Sequence, residues 1–317
     1  MARRIGRRRV GILIAALSAV LTAAFLAPGR FPDAFGFALP FEAVLPWLGI
    51  AAGLLLIAAL ARRAWLGILV SLIAVAAWAF VFVPRVLPLD PVAAVGNVPT
   101  VSVLSQNVRL GAGDTAAART AGAELGGSGA DLVAVQEIAP EQRATFAAEL
   151  AASHPYDATA STVGLWSRFP IRSSEPLDLG LGWDRALRAE VETPGGDTTV
   201  YVVHAASARL DGHGQRDEML AELAEVIRAD GSPRIIALGD FNASTDDRSF
   251  TPLSALLTEP RQSSGGFGFS WPSSFPVVRL DHILVRGFDA REMATEPRGD
   301  SDHLAISARL RPTGESG

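Results

Sequence analysis

The 317 residues contain no cysteine and no lysine. Lack of cysteine removes a disulfide framework, a thiolate metal site and a cysteine nucleophile in one step. Lack of lysine makes all 28 basic residues arginine. Positive charge is also scarce where most of the chain lies. Residues 1–96 hold nine arginines against Asp33, Glu42 and Asp90, whereas the other 19 arginines meet 30 of the 33 acids after residue 96, a net charge of −11 there. So acidic a region repels a phosphate backbone at long range and lacks the basic stripe of non-specific nucleic-acid binding. Nucleic acid is thereby disfavoured as a partner but not excluded, because a bound cation can offset charge locally.

Apolar residues are abundant by contrast: 49% of the chain, with a mean hydropathy of +0.27. The excess falls before about residue 84, in three uncharged runs, Val10–Ala27, Val44–Ala61 and Ala64–Val83. Each is long enough to cross a bilayer as a helix, so residues 1–83 are expected to form a membrane anchor of three transmembrane helices. The first run, behind its arginine-rich head, also fits a cleavable signal peptide, but the other two would still anchor the chain. Arginine placement predicts the orientation. Arg3, Arg4, Arg7, Arg8 and Arg9 precede the first run, and Arg62 and Arg63 separate the second from the third. A cytoplasmic N-terminus and three crossings put all that follows outside the cytoplasm. Pro84, Pro88, Pro91, Gly96 and Pro99 then mark residues 84–99 as a semi-rigid spacer, with a domain boundary near Asn97.

From residue 100 to about 312, β-rich runs alternate with helix-like stretches. Strands are expected over 100–106, 131–136, 162–167, 186–192, 198–204, 234–238, 280–285 and 304–310, and helices over 115–126, 141–152, 214–229 and 249–257. Met219, Leu220, Leu223, Val226 and Ile227 recur at helical spacing and define a buried face. The pattern is that of an α/β domain with a mixed sheet and helices on its faces.

Short polar groups stand where apolar strands end or begin. Asn107 follows Val101–Gln106, Glu137 follows Leu132–Gln136, and His204 follows Val200–Val203. Ile235–Leu238 runs into Gly239-Asp240-Phe241-Asn242, Leu280 leads to Asp281, and Ser301-Asp302-His303 opens the last strand. One such residue is usually a turn or a solvated side chain, but six in this arrangement point to one rim of a sheet. Their order, with Ser167-Arg168-Phe169-Pro170-Ile171 and Leu280-Asp281-His282-Ile283, resembles the endonuclease/exonuclease/phosphatase superfamily, of DNase I-like fold, over roughly 101–310. Gly-Asp-Phe-Asn and Ser-Asp-His are the specific pieces; the others count through their order.

The resemblance implies a four-layered α/β sandwich, a Mg²⁺ or Mn²⁺ ion, and in-line attack of water on a phosphate ester or anhydride. It makes Glu137 the main metal carboxylate, with Asn107 and Asp302 completing or ordering the metal shell. Asp240 would orient or deprotonate the water and Asn242 would hold it or a phosphate oxygen. His204 and His303 would bind phosphoryl oxygens, with Asp281 orienting His303. Magnesium suits such a set, since it prefers oxygen ligands and keeps several waters. One departure is His204-Ala205-Ala206-Ser207, where many members have His-Leu followed by proline or serine. Substrate identity therefore transfers less well than chemistry.

Arg109, Arg168, Arg185 and Arg188 are candidate phosphate ligands, Arg185 foremost because Trp183 is near it; a solvated arginine is the competing reading for each. His154 reads as a surface loop residue, His213 as a loop residue, His282 as a packing or capping group, and Trp271 as a packing residue near the site's rim. Ser167 has no base in its motif and is not a nucleophile.

A phosphatase held by three helices meets lipid head groups, and the arrangement resembles the membrane-bound glycopeptide-resistance phosphatases of the superfamily, which act on undecaprenyl pyrophosphate. A lipid phosphate or pyrophosphate is therefore the expected substrate. A tethered nuclease, a phospholipase-C-like phosphodiesterase and a non-catalytic membrane sensor are the alternatives.

Overall fold

The computed structural model describes residues 2–33, 35–88, 99–109, 113–209 and 212–313. It divides into Met1–Leu87 with Asp246–Arg248, and Pro88–Thr245 with Ser249–Gly317. Most of the expected spacer, including the boundary near Asn97, lies outside the described residues.

The first unit holds α1 (Ala2–Leu26), α2 (Ala38–Ala43), α3 (Leu48–Ala61) and α4 (Trp65–Val86). Among the described residues two helices, spanning Arg9–Leu26 and Trp65–Val86, are long and apolar enough to cross a membrane, not the three expected. The middle run falls short because Pro46 lies in a 3₁₀ turn, Leu45–Trp47, leaving 14 residues for α3. At 1.5 Å per residue α3 covers only about 21 Å. α4, conversely, continues through Pro84 to Val86, so the expected spacer begins later than residue 84.

Much of the large apolar surface in this unit faces outward, although Ile14, Phe25, Leu45 and Phe82 are buried. Ala15, Ser18, Ala52, Ala59, Gly67, Ser71, Ala74 and Ala77 are buried, whereas Ile12, Leu13, Leu17, Ile50, Leu54, Ile57, Leu66, Leu69 and Phe80 are exposed. Ser18 and Ser71 share a buried 2.8 Å hydrogen bond between α1 and α4.

Among its described residues the second unit has eleven strands and four α-helices. In order they are β1 (Val101–Asn107), α5 (Thr115–Gly126), β2 (Leu132–Gln136), α6 (Arg143–Leu150), β3 (Tyr156–Ala160), β4 (Val163–Ser167), β5 (Ile171–Leu177), β6 (Ala186–Thr193), β7 (Gly196–His204), α7 (Gly214–Ala229), β8 (Ile235–Asp240), α8 (Thr251–Ser254), β9 (Asp281–Arg286), β10 (Phe288–Glu296) and β11 (Ala305–Pro312). One sheet runs β10-β11-β1-β2-β4-β3 and the other β5-β6-β7-β8-β9. Each is mixed, with one parallel pair joined by a helix: β1 and β2 through α5, β7 and β8 through α7.

Alternation of side chains along the strands separates the layers. Val200, Val202, Ile236 and Leu238 join Val101, Val103, Leu132 and Ala134 in a core between the sheets. Their neighbours Tyr201, Val203, Ile235 and Ala237 face Met219, Leu220, Leu223 and Ile227 of α7. Val133 and Val135 face Phe146, Leu150 and Ala118 on α5 and α6. Three apolar cores thus part four layers, helices–sheet–sheet–helices. Burial on both faces explains why the central strands read as unbroken apolar runs.

Candidate active site

Both parallel pairs deliver their C-terminal ends to the same rim. Asn107 is level with Gln136, so Glu137 follows at the end of β2, and His204 is level with Asp240. β9 runs antiparallel to β8 and starts with Asp281 beside Asp240. β11 is antiparallel to β1, which places His303, just before it, over the end of β1.

Side-chain contacts close the group. Asn107 Nδ2 donates to Glu137 Oε1 at 3.1 Å and to Asp240 Oδ2 at 3.0 Å. His204 Nε2 lies 3.6 Å from Glu137 Oε1. Asp281 Oδ2 is 2.8 Å from His303 Nδ1, whose other ring nitrogen points to Asp240 Oδ2 at 3.9 Å. Asn242 anchors the Asp240 loop: its backbone N–H donates to Asp240 Oδ1 at 2.9 Å and its Nδ2 to the Ala205 carbonyl at 3.0 Å. Glu137, Asn242 and Arg109 all have positive φ (62°, 48° and 39°). Non-glycine residues in that region carry strain, and here it collects at the rim.

The electrostatics set the two histidines apart. Burial, followed by the positive charges of Arg185 and His303, lowers His204 to about 3, so its ring is neutral. Burial alone would lower His303 as well, but its hydrogen bond to Asp281 and the surrounding carboxylates raise it to about 9. Asp240 is raised by burial and by the nearby Asp281 charge. A carboxyl that would otherwise be fully ionised thus becomes a better proton acceptor.

Of the candidate arginines, Arg185 reaches the site. Its Nη2 lies 2.9 Å from His204 Nε2, and its guanidinium stacks 4.8 Å from the Trp183 ring centre. Arg109 pairs with Asp302 at 2.5 Å. Arg168 and Arg188 turn elsewhere, to Asp131 and to Asp230 with Glu190. Asp302 lies apart from the Glu137 group: Oδ2 takes Arg109 and Trp271 Nε1, and Oδ1 is buried without a partner.

His154 is not a surface residue; it is buried, between Ser153 and the Ala130 carbonyl. His282 is fully buried against Glu259 and the Ala243 carbonyl. His213 pairs with Asp217 on α7. Sequence reasoning passed over Thr162, whose Oγ1 is 3.2 Å from His204 Nδ1, and Ser301, which accepts from the His303 backbone N–H and donates to the Asn107 carbonyl. Ser301 was legible in its motif as a third polar residue; Thr162 precedes an ordinary strand and carried no signal.

The group fits a hard divalent cation. Single ligand atoms of Glu137, His204 and Asp240 lie within 4.8 Å of one another, and those of Asp240, Asp281 and His303 form a second such set. Two facing carboxylates, Glu137 and Asp240, bridged by the Asn107 amide present the oxygen-rich surroundings that Mg²⁺ or Mn²⁺ selects.

Solved structures share the fold at low identity. Humanized TDP2 of D. rerio is 20% identical with a TM-score of 0.57, over 67% of this chain and 99% of that one. The beta toxin of Staphylococcus aureus, solved with bound magnesium ions, is 16% identical with a TM-score of 0.52 over 66% and 99%. Sphingomyelinase C of Streptomyces griseocarneus is 18% identical with a TM-score of 0.50 over 67% and 99%. No curated protein sequence matches the chain. A family model, however, matches residues 104–303, well over half of the sequence, and on that match the chain belongs to the Endonuclease/Exonuclease/phosphatase family.

Proposed function

We propose that this chain is a membrane-anchored, metal-dependent phosphoester hydrolase acting on a lipid-linked phosphate or pyrophosphate, such as undecaprenyl pyrophosphate, outside the cytoplasm. The observation that carries the chemistry is the meeting of Asn107, Glu137, His204, Asp240, Asp281 and His303 at one rim. Glu137 and Asn107 would hold Mg²⁺ or Mn²⁺, with Asp302 ordering the Arg109 side. When bound, the ion supplies charge neutralisation on the phosphoryl group. The magnesium ions of the beta toxin support that choice of metal.

The chain's own residues account for the proton and the substrate's charge. His303, cationic at neutral pH through Asp281, donates to one phosphoryl oxygen, and Arg185 with neutral His204 binds another. Asp240 takes a proton from the attacking water, which Asn242 orients. As the water oxygen bonds to phosphorus, the bond to the leaving oxygen breaks on the opposite side.

Lipid as the substrate's carrier is supported by the helical unit. Small residues predominating inside, with most leucine and isoleucine side chains outside, are the pattern of helices packed in a bilayer. α3 joined to its 3₁₀ turn, Leu45–Ala61, extends about 27 Å, near the thickness of a thin hydrocarbon core. A third crossing is therefore retained in this reading, and with it the outward catalytic unit.

The test uses the full chain in detergent with Mg²⁺, offered prenyl pyrophosphates, sphingomyelin, inositol phosphates and plasmid DNA. Phosphate release from the prenyl pyrophosphates, abolished by a chelator and restored by Mg²⁺ or Mn²⁺, is the expected result. DNA cleavage without phosphate release, or turnover indifferent to chelation, would overturn it.

A further inference from the structure

Large apolar side chains exposed on the second unit are few among the described residues: Tyr156, Trp183, Trp271 and Phe275. Tyr156 opens β3 at the end away from the site, since β3 reaches the rim through Ala160 and Val163. The other three stand at the rim itself, which is not where chance would put them. Trp183 lies on Arg185, which contacts His204. Trp271 donates its Nε1 to Asp302, the neighbour of His303. Phe275, 71% exposed, caps a loop fastened to the same strand entry by Ser273, whose N–H donates to the Asp302 carbonyl and whose Oγ donates to the Ser301 carbonyl.

The aromatics thus flank the phosphate-binding groups from both sheets. Trp183 belongs to the β5–β6 connection of one, and the 271–278 loop is tied to the entry of β11 in the other. Exposed aromatic surface in water is costly, and beside a phosphate-binding site it marks where an apolar group is received. The geometry points to Trp183, Trp271 and Phe275 as a tail subsite that binds the hydrocarbon chain of the phosphate substrate. The inference rests on the phosphoester-hydrolase reading and names the class of substrate: amphiphiles with several isoprene-like or methylene units next to the phosphate. Such a subsite binds substrate and transition state alike, so it acts on KM rather than on kcat.

Two measurements test it. The first compares farnesyl pyrophosphate with dimethylallyl pyrophosphate on the full chain in detergent, for wild type and the Phe275→Ser variant, which leaves Trp183 and the Arg185 stacked on it in place. The Phe275 side chain is exposed, so folding should be unaffected. KM for the farnesyl substrate should rise about tenfold, as expected for lost aromatic burial, with kcat and the dimethylallyl KM unchanged. Phe275→Leu should remain near wild type. Equal effects on both substrates, or none on either, would overturn the subsite. The second measurement needs no turnover: the Asp240→Asn chain is photolabelled with farnesyl pyrophosphate carrying a terminal diazirine, and the adducts are mapped. Labels on 179–184 and 271–276 that a diazirine farnesol fails to give are expected. Labels confined to the helical unit, or the same with farnesol, would reject the subsite. A chain that labels as expected but hydrolyses no phosphate ester would instead reject the catalytic reading and leave the subsite standing.

Discussion

Gly239 is held open by its neighbour. A Cβ built there would meet the Val203 carbonyl oxygen at 2.0 Å, and its φ of 141° is one that side chains rarely adopt. That carbonyl belongs to the parallel partner strand, so neither can yield without breaking the β7–β8 pair that presents His204 and Asp240. Gly239→Ala is therefore expected to destabilise the fold by about 3 kcal/mol or more, read as a fall in the denaturant midpoint. Asp240→Asn and His303→Ala should do the opposite, leaving folding intact while lowering kcat by at least ~100-fold. Near-normal turnover in both would contradict their roles.

Glu259 gives a pH prediction away from the reacting groups. It lies largely buried, its side chain 13% exposed, against His282, Arg279 and Thr245. Burial alone would push its carboxyl up, but the Arg279 and His282 charges outweigh this and hold it at about 2, below the ordinary 4.5. A depressed carboxyl stabilises the fold above its unfolded value, and that contribution disappears as pH falls from about 4.5 to about 2. Wild type should thus lose on the order of 3 kcal/mol across that window through this group. Glu259→Gln should start less stable and show a flatter profile; parallel profiles would show that Glu259 does not carry the acid sensitivity. The charge pairing was unreadable beforehand, because 23 residues separate the two partners.

Among elements, all eight expected strands form, whereas β3, β5 and β10 were not foreseen. Those three are all edges: β10 and β3 bound one sheet and β5 the other. An edge strand gains its hydrogen bonds from one side and need not bury alternate residues, so Ile171–Leu177 is exposed almost throughout and even contains Pro176. The central strands were legible because both their faces are buried. Thr115–Gly126 and Gly214–Ala229 were equally legible, each presenting one apolar stripe to a sheet. In the helical unit the decisive element is the α1–α4 contact. At Gly67 a Cβ would already stand 3.3 Å from Ala59 Cβ and Ile14 Cγ2. Gly67→Leu should therefore separate these helices, seen as lost protease resistance of the detergent-solubilised chain, whereas Leu69→Ala on the exposed surface should not.

For the whole molecule, in the proposed membrane-anchored reading, the number of crossings decides the compartment. Two crossings return the chain to the side of its N-terminus; three carry the catalytic unit across. The chain's lack of cysteine makes this directly measurable. Ser174→Cys, on exposed β5, should be modified by a membrane-impermeant maleimide in intact cells. Labelling only after lysis would mean that Leu45–Ala61 does not cross and would place the site in the cytoplasm.

Composition and order along the chain were sufficient for the apolar front, the acidic remainder, the family and the residues of the rim, because each of these is a property of short segments. Tertiary structure alone decided that Arg185 rather than Arg168 or Arg188 reaches the site, that Asp302 turns to Arg109, and that one histidine is neutral while the other is charged. Those outcomes depend on which distant groups become neighbours and how far water is kept from them, and neither is written in any single stretch of sequence.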